Sequence, residues 1–129
     1  MYWTVATGPD RSGGMIMKAG LDGSNPVVVV GGLLDPYGIA IDFRAQRLYW
    51  ADEDRQKIQS SSINGSDVQT VLELTIGSDP FGIVVLEDRI YFSTFTSRKL
   101  QSINKSGGDL QTHYERAEQI GHIVLVEDI

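Results

Sequence analysis

The chain has 129 residues, 41% of them hydrophobic and 22% charged, which suits one globular domain and excludes disordered and collagen-like classes. Seventeen acidic against eleven basic side chains leave a net charge of −6, and without a Lys/Arg cluster to neutralise successive phosphates nucleic acid is not an expected partner. No apolar run approaches the roughly 20 residues of a membrane-spanning helix, and the absence of cysteine removes disulfides, thiolate zinc sites and cysteine nucleophiles together.

The opening stretch MYWTVATGPDRSGG lacks a basic segment followed by an apolar one, so any secretory signal is expected outside this chain. Met1 to Thr4 is the first run of strand type, rich in β-branched and aromatic residues. A loop around Gly8 to Gly14 leads to Ile16-Met-Lys-Ala-Gly-Leu-Asp-Gly-Ser24, whose Asp22-Gly23 pair tolerates the positive φ of a tight hairpin. Val27 to Val30 follows. The next stretch is the best formed, with strands expected at about Gly38 to Phe43, Arg47 to Asp52, Lys57 to Ile63 and Val68 to Leu74, the last two joined at Asn64-Gly65. Asp79 to Leu86, Tyr91 to Thr94 and Leu100 to Gly108 repeat the scheme, and Ile120 to Val126 is a final strand. No window suggests a long amphipathic helix.

These elements form an internal repeat. The turn glycines Gly23, Gly65 and Gly107 follow one another at intervals of 42 residues. Tyr2-Trp3, Tyr49-Trp50 and Tyr91-Phe92 recur in step, as do Asp35-Pro-Tyr-Gly-Ile-Ala-Ile-Asp42 and Asp79-Pro-Phe-Gly-Ile-Val-Val-Leu86. Naming the four strands of a unit A to D, the chain reads BCD, ABCD, ABCD, A. A period of about 40 residues with four strands per unit predicts stacked sheets, the architecture of a β-propeller. Strands such as Arg47-Leu-Tyr-Trp-Ala51 are apolar on both faces, as sheets sandwiched between sheets require. Expected units are 1–34, 35–78 and 79–118, with 119–129 as a closing strand. Propellers have roughly 4 to 8 blades, so about three blades are half a ring.

At Leu48-Tyr-Trp-Ala-Asp52, Lys57-Ile58, Leu21-Asp-Gly-Ser24 and Pro36-Tyr-Gly-Ile-Ala-Ile-Asp42 the chain resembles the low-density lipoprotein receptor class B (YWTD) repeat over nearly its whole length. The resemblance implies an all-β, partial six-bladed propeller belonging to an extracellular receptor or matrix protein, such as a lipoprotein-receptor-related protein or a Wnt co-receptor. It implies that the Asp closing the YWTD motif ties adjacent blades. Here that Asp survives as Asp52 and is replaced by Val5 and Thr94, so looser packing is expected there.

Trp3, Trp50, Phe92, Tyr49 and Tyr91 are expected in the core between blades. Asp52-Glu53-Asp54 places three carboxylates in a row, but the alternation and glycine of a calcium loop are missing. Asp52 therefore reads as structural, and Glu53 and Asp54 as solvated. Glu87-Asp88 and Glu127-Asp128 read as turn or terminal residues. His113 and His122 are too few and too far apart for a metal site, and no cofactor is expected. Asn64-Gly-Ser66 and Asn104-Lys-Ser106 match the N-glycosylation pattern near predicted turns, Asn64 being favoured.

Propellers recognise partners on end faces where loops converge. The resemblance implies that the position after each YWTD motif, here Ala6, Glu53 and Phe95, lies on the ligand face. Phe95 is then the aromatic anchor, flanked by Arg98, with Phe81 and Tyr37 contributing from the fourth-to-first loops. Glu53, Asp54 and Arg55 add a mostly acidic rim suited to basic segments of protein partners. The reading is a non-enzymatic recognition module serving ligand binding, endocytosis or Wnt signalling. The resemblance implies the C-terminal half of one six-bladed ring from a larger extracellular protein, and a half-propeller whose homodimer completes the ring is the alternative architecture. Its rival is a calcium-dependent six-bladed lactonase or esterase. Gly38-Ile-Ala-Ile41 and Gly82-Ile-Val-Val85 supply no carboxylate or amide set for that metal, and no Gly-x-Ser-x-Gly elbow is present. A truncated fragment without function of its own is the third reading.

Overall fold

The computed structural model describes residues 1–5, 13–33 and 36–115, and within them every regular element is a strand. Blade one contains β1 (Tyr2–Val5), β2 (Gly14–Lys18) and β3 (Val27–Leu33). Blade two contains β4 (Pro36–Asp42), β5 (Arg47–Asp52), β6 (Lys57–Ser62) and β7 (Gln69–Glu73). Blade three contains β8 (Pro80–Leu86), β9 (Arg89–Thr94), β10 (Lys99–Asn104) and β11 (Gln111–Glu115). Each sheet is an antiparallel meander in chain order. The architecture is a partial β-propeller of three blades. The A strand of blade two begins two residues earlier than expected, at Pro36, and Gly14, expected in a loop, opens β2. The expected strand Ile120 to Val126, with His122, Glu127 and Asp128, lies outside the described residues, as do Ala6 and most of the Gly8 to Gly14 loop.

Period-two alternation explains how one strand serves two cores. Trp50 packs with Leu48 against Ile16, Val30 and Leu33 of blade one. Its neighbour Tyr49 points the other way, joining Ile58 of blade two to Ile83, Ile90, Phe92 and Ile103 of blade three. The expectation of core burial is therefore correct for Tyr49, Trp50 and Phe92. Trp3 and Tyr91 depart from it: both are only half-buried and belong to neither cluster. They occupy the same repeat positions as Trp50 and Tyr49, on the two outer blade faces, where no described sheet covers them.

Close contacts at glycine set the blade spacing. Gly65 (φ +89°) and Gly107 (φ +91°) sit at the C–D turns, where an added Cβ would lie 1.9 Å from the Val29 carbonyl oxygen and 2.6 Å from that of Val71. Each turn thus abuts the D strand of the preceding blade. Only glycine combines this φ with that proximity.

A polar clasp joins blades two and three. Lys105 donates to Oδ2 of Asp42, 63 residues away in sequence, while the Ala45 N–H donates to Oδ1 at 3.2 Å. Burial works to raise the Asp42 pKa, but the Lys105 hydrogen bond, the Ala45 and Arg44 N–H donors and the Lys105 charge outweigh it, and the group titrates below the ordinary carboxylate range. A carboxyl with a depressed folded pKa contributes stability that is present above its unfolded pKa and is lost as pH falls through the folded value. Lys105→Ala is expected to cost about 1–2 kcal/mol at neutral pH and to flatten the loss of stability below about pH 4. Urea unfolding at both pH values measures this, and an unchanged acid slope would refute the clasp.

Candidate aromatic end face

The A strands of blades two and three approach closely because position 38 carries no side chain. A Cβ on Gly38 would fall 2.2 Å from the Phe81 carbonyl oxygen. That approach brings the preceding residue, Tyr37, onto Phe81 with ring centroids 4.9 Å apart, and Phe81 in turn meets Phe95 at 5.9 Å. The tilted rings form a continuous aromatic ridge across the end of two blades, with geometry that aromatic pairs favour. Tyr37 and Phe95 are each 37% exposed, so the ridge presents apolar surface to solvent.

Polar contacts hold the loops beneath it. Asp79 accepts from Gln56 Nε2 at 2.7 Å, its own N–H donates to Gln56 Oε1 at 2.8 Å, and its carboxylate also accepts from Thr96 Oγ1. The Phe95 N–H donates to the Asp79 carbonyl at 2.8 Å. The Phe95 loop is thereby fixed to the entry of β8 and to the 53–56 turn of blade two. Thr4 Oγ1 donates to the Tyr37 carbonyl at 3.0 Å, joining blade one to the same end.

Asp52 is fully buried. It accepts the Arg55 N–H at 3.2 Å and pairs with the Arg55 guanidinium at 3.9 Å, and Arg55 reaches on to the Gly32 carbonyl of blade one at 2.9 Å. Asp52 therefore acts on the neighbouring blade through Arg55, whose side chain also stays exposed beside Glu53 and Asp54. In blade three Thr94 replaces this carboxylate. Its Oγ1 accepts from Ser97 Oγ at 2.6 Å and from the Lys99 N–H at 3.2 Å, closing the 95–98 turn without an ion.

Glu53, Asp54 and Arg55 line an open depression of about 780 Å³ together with Glu73, Ile76 and Asp79. Arg98 is exposed at the end of the Phe95 turn, with φ +61°. Ile76, 98% exposed in the loop between β7 and β8, is a surface residue that sequence reasoning missed; its only signal is an isoleucine inside the turn sequence Thr75-Ile-Gly-Ser78. At the opposite end, Phe43, Leu86 and Lys105 border a second open depression of about 830 Å³.

Of the remaining expected residues, Asn64 is exposed and its Oδ1 accepts from Ser66 at 2.7 and 3.1 Å. Asn104 is half-buried and accepts from Arg89 at 2.8 Å. His113 stacks on Tyr91 at 5.6 Å and shares a 2.6 Å hydrogen bond with Ser102 Oγ. Among the described residues, no three His, Asp or Glu side chains converge as metal ligands would.

Residues 46–86 match the family described as low-density lipoprotein receptor repeat class B. The vitellogenin receptor Yl of Drosophila melanogaster is 35% identical over 75 residues, 57% of this chain and 4% of that protein. Among solved structures, a chain of the nidogen/laminin complex superposes with a TM-score of 0.70 at 21% identity, covering 77% of this chain and 39% of that one. A gluconolactonase from Xanthomonas campestris superposes at 0.74 with 15% identity, over 94% of this chain and 45% of that one. The chain thus spans less than half the length of each, and at these identities the two structures speak for the propeller fold alone. Residues 46–86, which run through β5 to β8 across blades two and three, are thus a low-density lipoprotein receptor class B (YWTD) repeat.

Proposed function

We propose that this chain is a non-enzymatic extracellular recognition module whose aromatic end face binds protein partners. The observation carrying this reading is the ridge of Tyr37, Phe81 and Phe95, drawn from two blades, held from below by Asp79 and Gln56, and left open to solvent. Exposed aromatic groups on a rigid scaffold provide large contact area at low entropic cost, and such residues dominate interface energetics. The class B repeat at residues 46–86 and the resemblance to a vitellogenin receptor support a receptor or matrix setting. Glu53 and Asp54 beside the ridge favour partners that combine a basic segment with an apolar anchor. In that setting Asn64, on an exposed turn, is the preferred glycan acceptor, whereas Asn104 is engaged by Arg89.

Peptide-display selection on the purified chain tests this reading. The wild type is expected to enrich lysine- or arginine-bearing peptides with an aliphatic or aromatic anchor. Phe95→Ala is expected to weaken the selected peptides by about 30-fold or more, consistent with loss of an interface hot spot. Arg98→Ala is expected to change affinity less, as is usual for a charge at the rim. Equal binding by wild type and Phe95→Ala would remove the end face as the site.

A further inference from the structure

Each of the three asparagines is followed by a different residue, and that residue decides whether the backbone can attack the side-chain amide. The attacking atom is the N–H nitrogen of the next residue. Asn25 precedes Pro26, which has no N–H. Asn104 precedes Lys105, whose Cβ crowds the approach, and its amide oxygen is held by Arg89 at 2.8 Å. Asn64 is exposed and precedes Gly65, so there alone the nucleophile is sterically unhindered.

The turn both activates and restrains this pair. Ser66 donates to Asn64 Oδ1 from its Oγ at 2.7 Å and from its N–H at 3.1 Å. Two donors on a carbonyl oxygen stabilise the negative charge that develops when a nucleophile adds to its carbon. The nucleophile itself is latched. The Gly65 N–H donates to the Ser62 carbonyl at 2.8 Å, and the Ser62 N–H donates to the Ser66 carbonyl at 2.7 Å, closing the hairpin. Gly65 is also seated on blade one, with the Val29 carbonyl oxygen 1.9 Å from its Cβ position. Val29 in turn packs against the cluster of Ile16, Val30, Leu33, Leu48 and Trp50. Turning the Gly65 nitrogen toward the Asn64 carboxamide breaks its bond to Ser62 and lifts the turn from this seat.

We propose that Asn64 is a site of spontaneous deamidation gated by the junction of blades one and two. The Gly65 nitrogen gives its proton to solvent and bonds to Asn64 Cγ; the Cγ–Nδ2 bond breaks and ammonia leaves, giving a cyclic imide. Water then opens either imide C–N bond, leaving aspartate or isoaspartate at position 64. Isoaspartate lengthens the main chain by one carbon beside the glycine that the Val29 carbonyl crowds, so modification loosens the junction that restrained it. A glycan on Asn64 would occupy the same nitrogen, and the reaction therefore belongs to the unglycosylated chain.

Peptide mapping by mass spectrometry tests this on the purified, unglycosylated chain held at mildly alkaline pH, by reading the aspartate and isoaspartate formed at position 64. The folded chain is expected to react about 10-fold more slowly than the urea-unfolded chain, with little change at Asn104 in either. Ile16→Val and Ile103→Val make the same truncation at buried positions of the two junctions, Ile16 between blades one and two and Ile103 between blades two and three. Ile16→Val is expected to accelerate the folded-state reaction about 5-fold by easing the opening of blade one, and Ile103→Val less than about 2-fold. Equal acceleration by both would route the reaction through global unfolding and overturn the gating. A folded chain that reacts as fast as the unfolded one would overturn the restraint, and an Asn64 left intact in both states would overturn the site.

Discussion

Trp50→Ala is expected to destabilise the chain by about 3–5 kcal/mol, the range for emptying a fully buried large aromatic site. Trp50 is fully buried between Leu48 and the blade one residues Ile16, Val30 and Leu33, so truncation removes the centre of one of the two blade junctions. Its Nε1 has no hydrogen-bond partner among the described residues, so the indole is held by packing. Trp50→Phe is accordingly expected to cost only about 1 kcal/mol, because the lost volume is offset by removal of a buried unpaired N–H. Phe92 already fills the same repeat position in blade three, where it is also fully buried. Urea denaturation of the two variants measures the contrast, and equal losses would mean that the indole N–H contributes to stability.

Gly65→Val is the second large effect, expected at about 3–4 kcal/mol. Roughly 1–2 kcal/mol arises from placing a side chain at positive φ, and roughly 1–3 from forcing apart packed atoms. The clash is with backbone, since the Val29 carbonyl oxygen stands 1.9 Å from the Cβ position, and no side-chain rotation relieves it. Gly23→Val carries the same conformational strain without a clash among the described residues, so its cost is expected at about 1–2 kcal/mol. Equilibrium unfolding of both variants decides the point. Similar losses at Gly23 and Gly65 would show that turn strain, and not the approach of neighbouring blades, dominates at Gly65.

The fold was legible because several levels of the sequence agree. Strand-forming runs, turn glycines at a 42-residue step and doubly apolar strands each point to stacked four-stranded sheets. The aromatic ridge was also legible in part, since Tyr37 and Phe81 occupy equivalent positions before Gly38 and Gly82. What the repeat could not convey is which faces have a neighbour. Tyr2-Trp3 and Tyr49-Trp50 are identical locally, yet Trp50 is buried and Trp3 is half-buried, because burial between blades is a property of the stack. Long-range polar contacts were invisible for a related reason. Asp42 ends a strand of blade two while Lys105 lies in a turn of blade three, and Arg55 gives no sign in sequence that its guanidinium turns back to Gly32. In sequence Thr94 reads as a simple loss of the motif's aspartate, but its hydroxyl closes the 95–98 turn where a carboxylate closes that of blade two, with a neutral group that is cheaper to bury.

The most direct measurement on the recognition surface is the map of backbone amide chemical shifts in the labelled chain on titration with a display-selected basic peptide. The largest changes are expected to cluster at Tyr37, Phe81, Phe95 to Arg98 and the 53–56 turn, and to vanish in Phe95→Ala. Changes centred instead on Phe43, Leu86 and Lys105 at the opposite end would contradict this and move recognition to the other face of the propeller.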